Sequence, residues 1–309
     1  MSQFYSIAGA VAYGPRYDSL DSVPESWAMK AWSVDDLRGK SDGAGVIAAV
    51  LDTGGDIDHP ELSGRVINSR DFTGSRIGFR DQNQHGTHCL GTVGGKNPSI
   101  GVATGCTLLN GKVLGDGGGG ADSGIAAGID WAVGEGAEVI SMSLGGSYSS
   151  TIEAACKRAA DKGVWCIVAA GNSGFGGVDY PGKLDCVISV AAIDRNFKIA
   201  GFSSRGDKLD TSGPGVDIVS AKPGGGYQSM SGTSMATPFV AGLLTCLRAG
   251  LKKSNLPIPS VYGLRVLLMS RSVDLGKPGD DTDYGPGWLA PLMLQLSLRE
   301  DPPPIGEAD

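Results

Sequence analysis

A three-layer α/β/α fold around a mostly parallel central sheet is the class this sequence predicts, and three observations predict it. Apolar, β-branched runs of strand length alternate with longer stretches whose apolar residues recur at helical spacing. The 309 residues are 41% hydrophobic and 19% charged, which suits one large soluble domain with a substantial core. Glycine occurs 50 times, as expected of a chain with many tight turns and close backbone approaches.

The elements follow in order. GVIAAVLDTG (45–54) reads as a buried strand ending in a turn. TLLNGKVLG (107–115), AEVISMSLGG (137–146), GVWCIVAAGN (163–172) and CVISVAAID (186–194) read likewise. Between them, SGIAAGIDWAVGEG (123–136) and STIEAACKRAADKG (150–163) carry helical periodicity, the second closing at Gly163 as a C-cap. PSVYGLRVLLMSRSV (259–273) reads as a late helix. Parallel sheets bind ligands at the carboxyl ends of their strands, which singles out Asp52, Gly145 and Asn172. No internal repeat or linker divides the chain.

Composition excludes several functions. A net charge of −7 with no basic stripe argues against nucleic acid as a partner. No run approaches the roughly 18 apolar residues that span a bilayer, so no membrane partner is expected. The N-terminus MSQFYSIAGAVAYGPRYD has no basic region before its short apolar patch and does not read as a secretory signal. The chain as given is therefore expected in the cytoplasm, or outside the cell if a presequence has been removed. Six cysteines (Cys89, Cys106, Cys156, Cys166, Cys186, Cys246) lack both disulfide-scaffold density and zinc spacing, and read as buried thiols, with one or two disulfides open for an exported protein.

Several motifs compete for the chemistry. GKSDG (39–43) satisfies G-x-S-x-G but precedes a strand, whereas a nucleophile elbow needs strand, turn, then helix. GDGGGG (115–120) satisfies G-x-G-x-x-G between a strand and a helix, and is open to two readings: a dinucleotide site, or a flat backbone edge for an extended peptide. HGTHCLGT (85–92) holds two of the three histidines, without the spacing or adjacent glutamate of a zinc helix. SGTSMATPFVAG (231–242) sets four hydroxyls before an apolar run, as helix caps or as a nucleophile.

Taken together, VLDTGGDIDHPEL (50–62), HGTHCLGTVGG (85–95), SMSLGG (141–146), AAGNSG (169–174) and SGTSMATPFVAG closely resemble, in residues and order, the subtilisin-like serine proteases, or subtilases. The cysteine after HGTH is similar to the proteinase K branch. The resemblance runs from about residue 26 to 298, implying an N-terminal extension or propeptide remnant over 1–25, a catalytic domain over 26–298 and a flexible acidic tail over 299–309.

By this resemblance Asp52, His85 and Ser234 form the catalytic triad, with Asn172 and the Ser234 N–H as the oxyanion hole. The residue types suit the chemistry. A serine hydroxyl needs a base, imidazole can take and return its proton near neutrality, and a carboxylate fixes the imidazole tautomer. The resemblance implies broad-specificity endopeptidase activity on extended polypeptides through an acyl-enzyme. Gly118, Gly119 and Gly120 would form one substrate edge and Ser143, Leu144 and Gly145 the other. Ala169, Ala170 and Gly171 would line the pocket for the residue before the cut. Asp122, where many relatives have an aromatic wall, puts an apolar preference at a more distant subsite in question. Structural calcium is expected at the Asp210 carboxylate with the carbonyls of Asp185 and Val187. The family's other common site has Glu61 for its usual aspartate and Pro98 for a side-chain ligand. Cys89 is expected to pack beneath the active site. The partners implied are polypeptide substrates and the chain's own N-terminal segment, on a monomer. A dedicated maturation protease or peptide ligase, and a binding protein on an inactive protease fold, are the alternatives.

Overall fold

The structure, a computed structural model, describes residues 4–7, 11–23 and 26–290. The chain begins with β1 (Phe4–Ile7) and β2 (Ala12–Tyr17), then α1 (Trp27–Ala31) and α2 (Val34–Lys40). The first half continues through β3 (Ile47–Asp52), β4 (Val66–Asp71), α3 (His85–Gly94), β5 (Thr107–Lys112), β6 (Gly119–Ala121) and α4 (Asp122–Gly134). Next come β7 (Val139–Met142), β8 (Leu144–Gly146), α5 (Ser150–Asp161), β9 (Trp165–Ala169) and β10 (Ile188–Ile193). The last part holds β11 (Thr211–Pro214), β12 (Ile218–Ala221), β13 (Tyr227–Ser231), α6 (Thr233–Lys253), α7 (Val261–Arg271), β14 (Ser272–Val273) and β15 (Trp288–Leu289).

Among the described residues, nine strands form the central sheet in the order β14-β15-β11-β10-β9-β7-β3-β5-β4, parallel except for the β14–β15 pair. The inner strands are apolar on both faces, and alternate residues part to opposite cores. Ala48 and Val50 of β3 pack into the core that holds Leu90 of α3 and Phe239 of α6. Ala49 and Leu51 pack into the core that holds Ile125 and Ile129 of α4 and Ala155 of α5. Helices thus cover both faces, giving three layers. The expected strands and helices all form, and α5 ends as predicted: Gly163 takes φ +73°, while Val164 N–H bonds the Ala159 carbonyl.

Helix α6 is long and apolar enough to cross a membrane by length and composition, yet its apolar stretch is entirely buried inside the protein. It is the central core helix, and its N-terminus carries Ser234. All six cysteines are free thiols, five of them buried. The expected tail over 299–309 lies outside the described residues. The expected N-terminal extension is built into the fold as two strands. β1 lies between β6 and β8 in a small antiparallel sheet, and β2 adds to the edge of β13.

Candidate active site

Two elements bring Asp52 and His85 together. Asp52 ends β3, and His85 opens α3. They meet because the turn after β3 and the start of α3 are glycine-lined: a Cβ on Gly86 would stand 2.1 Å from the Gly54 carbonyl oxygen. The His85 Nδ1–H then donates to Asp52 Oδ1 at 2.7 Å, with the two side chains 0% and 1% exposed. The same oxygen accepts the Thr53 N–H at 2.7 Å. Such a bond holds the imidazole in one tautomer, with Nε2 as the free base.

The supporting shell was not legible in the sequence. Asp81 Oδ1 accepts the Thr53 hydroxyl and the N–H groups of Asn83 and Gln84, while Oδ2 accepts the N–H and hydroxyl of Thr87. It therefore caps α3 and ties it to the residue beside Asp52. Burial pushes the Asp81 carboxyl up, against the opposing pull of its Thr87 bonds. Lys112, fully buried, donates to the Thr53 carbonyl at 2.5 Å and the Arg80 carbonyl at 3.2 Å, and pairs with Asp116 at 2.8 Å. Both loops are thereby pinned from below. His88, the other histidine of the motif, bonds the carbonyls of Ile218 and Gln228 through Nε2, and burial pushes its pKa down to about 4. It is a neutral strut between α3 and the strands behind it.

Ser234 is the second residue of α6, where the backbone N–H groups of a helix are unpaired and its dipole is positive. Pro238 sits four residues on and has no N–H, so the Ser234 carbonyl lacks its usual helical donor. The Ser143 hydroxyl supplies one at 2.8 Å. Left unmet in this buried position, that carbonyl would cost about 1–3 kcal/mol. The substrate-edge segment and the serine helix are thus joined directly. Cys89 lies beneath both: its Sγ is 3.6 Å from Ser143 Oγ, 3.7 Å from the Ser234 carbonyl and 3.9 Å from His85 Nδ1. Burial holds its thiol far above the ordinary range, so it is a protonated packing group.

Asn172 follows the end of β9. Its Oδ1 accepts both the N–H and the hydroxyl of Thr233, at 2.9 and 2.8 Å. That fixes the amide flat against the turn into α6, with Nδ2 beside Gly232. Ser234 Oγ and His85 Nε2 are both buried, and neither has a hydrogen-bond partner among the described residues. The serine–histidine bond is therefore not made in this structure. Such bonds are often long before substrate is in place.

The two predicted edges face each other across one strand's width, and β1 fills that width. Tyr5 lies opposite Gly120 on one side and Gly146 on the other; Ser6 lies opposite Gly119 and Gly145, and Ile7 opposite Leu144. The Ile7 N–H adds a bond to the Gly118 carbonyl at 2.9 Å. Tyr5, 1% exposed, joins the apolar cluster of Leu114, Ile125 and Ile152, and its hydroxyl donates to the Ser147 carbonyl. Burial first, then Asp122, pushes that phenol up to about 12, so it stays a donor. The Asp122 carboxylate accepts from Ser123 N–H and Ser149 Oγ. Beyond the cleft, Val11 packs near Gly232 and Arg16 of β2 bonds Gln84, next to His85.

A three-layer parallel α/β fold with aspartate, histidine and serine in that chain order defines a class, the serine hydrolases whose serine opens a buried helix. Residues 43–287 match the profile described as the subtilase family. The chain is 42% identical over 240 residues to a thermostable alkaline protease of Halalkalibacterium halodurans, covering 76% of this chain and 64% of that protein. It is 40% identical over 258 residues to subtilisin DY of Bacillus licheniformis, covering 80% and 89%. It is also 40% identical over 250 residues to an intracellular serine protease of Paenibacillus polymyxa, covering 76% of each. The chain belongs to the subtilase family, and it spans a little under two thirds of the length of the first of these relatives.

Subtilases typically bind structural calcium, and here the expected ligands do not fit an ion. The Asp210 carboxylate and the carbonyls of Asp185 and Val187 do converge, but on the guanidinium of Arg265. Its Nε donates to Asp210 Oδ1 at 2.7 Å, and its other nitrogens donate to the carbonyls of Asp185, Leu184 and Val187. A fixed cation with planar donors thus occupies the oxygen cage. At the second place, Glu61 accepts the Asn97 N–H at 2.7 Å and the Tyr227 hydroxyl at 2.8 Å, so both carboxylate oxygens are engaged by protein donors. Arg265→Ala leaves the largely buried Asp210 unpaired, at an expected cost of about 3 kcal/mol. Thermal melting should fall by roughly 6–12 °C, with Arg265→Lys intermediate because one ammonium cannot meet all these acceptors.

Proposed function

We propose that this chain is a serine endopeptidase that cuts extended polypeptides through an acyl-enzyme, with Asp52, His85 and Ser234 as the triad. The observation that carries it is an extended strand bonded along both glycine-rich edges, in a cleft whose base joins Ser143, His85 and Ser234 around one thiol. The His85 Nε2 takes the Ser234 proton as Oγ bonds the scissile carbonyl carbon. Asn172 Nδ2 and the Ser234 N–H stabilise the oxyanion that forms. The C–N bond breaks as His85 returns the proton to the leaving amine, and water repeats the sequence in reverse to release the acyl group. Main-chain pairing supplies affinity with little dependence on side chains.

In the same reading, β1 (Phe4–Ile7) is an internal occupant of that cleft. β1 spends the backbone donors and acceptors that a substrate strand needs, and Tyr5 anchors it. With alkaline proteases and an intracellular serine protease among the relatives, either compartment fits this family member.

Covalent labelling tests the assignment. A fluorophosphonate should modify Ser234 stoichiometrically, read as a mass increase on the peptide that spans it. Labelling at Ser41, or at no serine, overturns the reading.

A further inference from the structure

The walls of the pocket for the residue before the cut are Ser143–Gly145 and Ala169–Gly171, and between them stands a carboxylate that no motif announces. A Cβ on Gly171 would lie 2.3 Å from Asp179 Oδ2, and one on Gly145 would lie 2.9 Å from it. Only glycine at both places leaves room for this side chain, and Gly171 also takes φ +106°, a conformation costly for other residues. The main chain holds Asp179 to both walls. Its N–H donates to the Ala170 carbonyl at 2.8 Å, and Tyr180 exchanges bonds of 3.1 and 2.9 Å with Gly146. The carboxylate therefore closes the space between the two segments.

Asp179 is half-buried, and among the described residues its carboxylate has neither a hydrogen bond nor an ion pair. Lys183 acts on it only at longer range, its ammonium lying over the Tyr180 ring at 5.6 Å. A partly desolvated carboxylate with no donor is costly unless something supplies one. A substrate strand in the register of β1, with successive residues opposite Gly146, Gly145 and Leu144, sets its next residue opposite Ser143, at the mouth of this pocket.

We propose that Asp179 is the floor of the pocket for the residue preceding the scissile bond, and that the substrates are polypeptides with lysine or arginine there. The inference rests on the endopeptidase reading and narrows it. A lysine or arginine stem is apolar and long enough to lie along the buried Ala169 and Ala170 while its charged end meets the carboxylate. An acidic residue there meets a like charge, and an aliphatic one leaves Asp179 without a donor. Between Ile7 and Arg16 the chain's own sequence has no lysine or arginine, so this segment is a poor substrate by the same rule.

The test is a set of peptides identical except for lysine, arginine, leucine or glutamate before the cut, hydrolysed by the full chain and by Asp179→Asn. The cleft's internal strand slows all of them alike and leaves ratios intact. The parent should cut the lysine and arginine peptides with the highest kcat/KM, and Asp179→Asn should lower the lysine-to-leucine ratio by about 10- to 100-fold. Cleavage with the same ratio in both proteins overturns the preference alone. If no peptide is cut by the full chain, and none by Tyr5→Ala, in which the internal strand is loosened, the endopeptidase reading fails and takes this preference with it.

Discussion

Ser234→Ala is expected to lower kcat for peptide hydrolysis by about 10⁶ while leaving the melting temperature unchanged or slightly raised. That magnitude comes from the family's type enzyme, in which the serine alone costs nearly as much as the whole triad. The stability half comes from this structure. Ser234 Oγ is buried and bonded to nothing among the described residues, so removing it strands no partner. The bonds that fix the helix start run through other atoms: the Ser234 carbonyl to Ser143, and Thr233 to Asn172. The residual rate should stay about 10³–10⁴ above the uncatalysed one, because the donors aimed at the oxyanion survive. Full activity in this variant would end the assignment. Loss of activity together with a large fall in melting temperature would point to a structural serine instead.

What the sequence made legible follows from how each feature is encoded. The inner strands are local signals, because a strand buried on both faces must be apolar throughout, as in VIAAVL. Asp52 and Asn172 were readable as polar residues where such runs stop. Their meeting with His85 and Ser234 was readable only through the order of motifs, since no periodicity links residues so far apart. Asp81 and Thr53 carry no signal of their own; their value lies in bonds made across loops. Lys112 reads as a lone charge in a buried strand, and its ammonium is buried because three oxygens converge on it. Arg265 was equally silent on the face of a late helix, while its partners lie at 184–187 and 210. The oxygens named for calcium thus converge on a cation that the chain itself supplies. β1 escaped notice for a related reason: a short strand with partners far along the chain on both sides has no turn to announce it.

Removal of residues 1–17 is expected to raise kcat/KM for peptide substrates by on the order of 10²-fold. A tethered segment is present at an effective concentration of about millimolar, so even modest affinity for the cleft keeps it mostly occupied. β1 and substrate need the same backbone groups on β6 and β8, and they cannot both have them. The gain should therefore appear as a fall in apparent KM with kcat nearly unchanged. A synthetic peptide of residues 1–17 should restore inhibition to the shortened protein, competitively with substrate. Truncation also strips β2 from β13 and an aromatic ring from the core, which could unfold the protein. Tyr5→Ala in the full chain avoids that, loosening the anchor while leaving β2 in place, and should move KM in the same direction by a smaller factor. Equal KM in all three proteins would show that β1 does not compete with substrate. A fall in kcat at constant KM would carry a different meaning: the N-terminal strands would be bracing β13 and the helix start behind Ser234, and the segment would belong to the catalytic scaffold instead of blocking it.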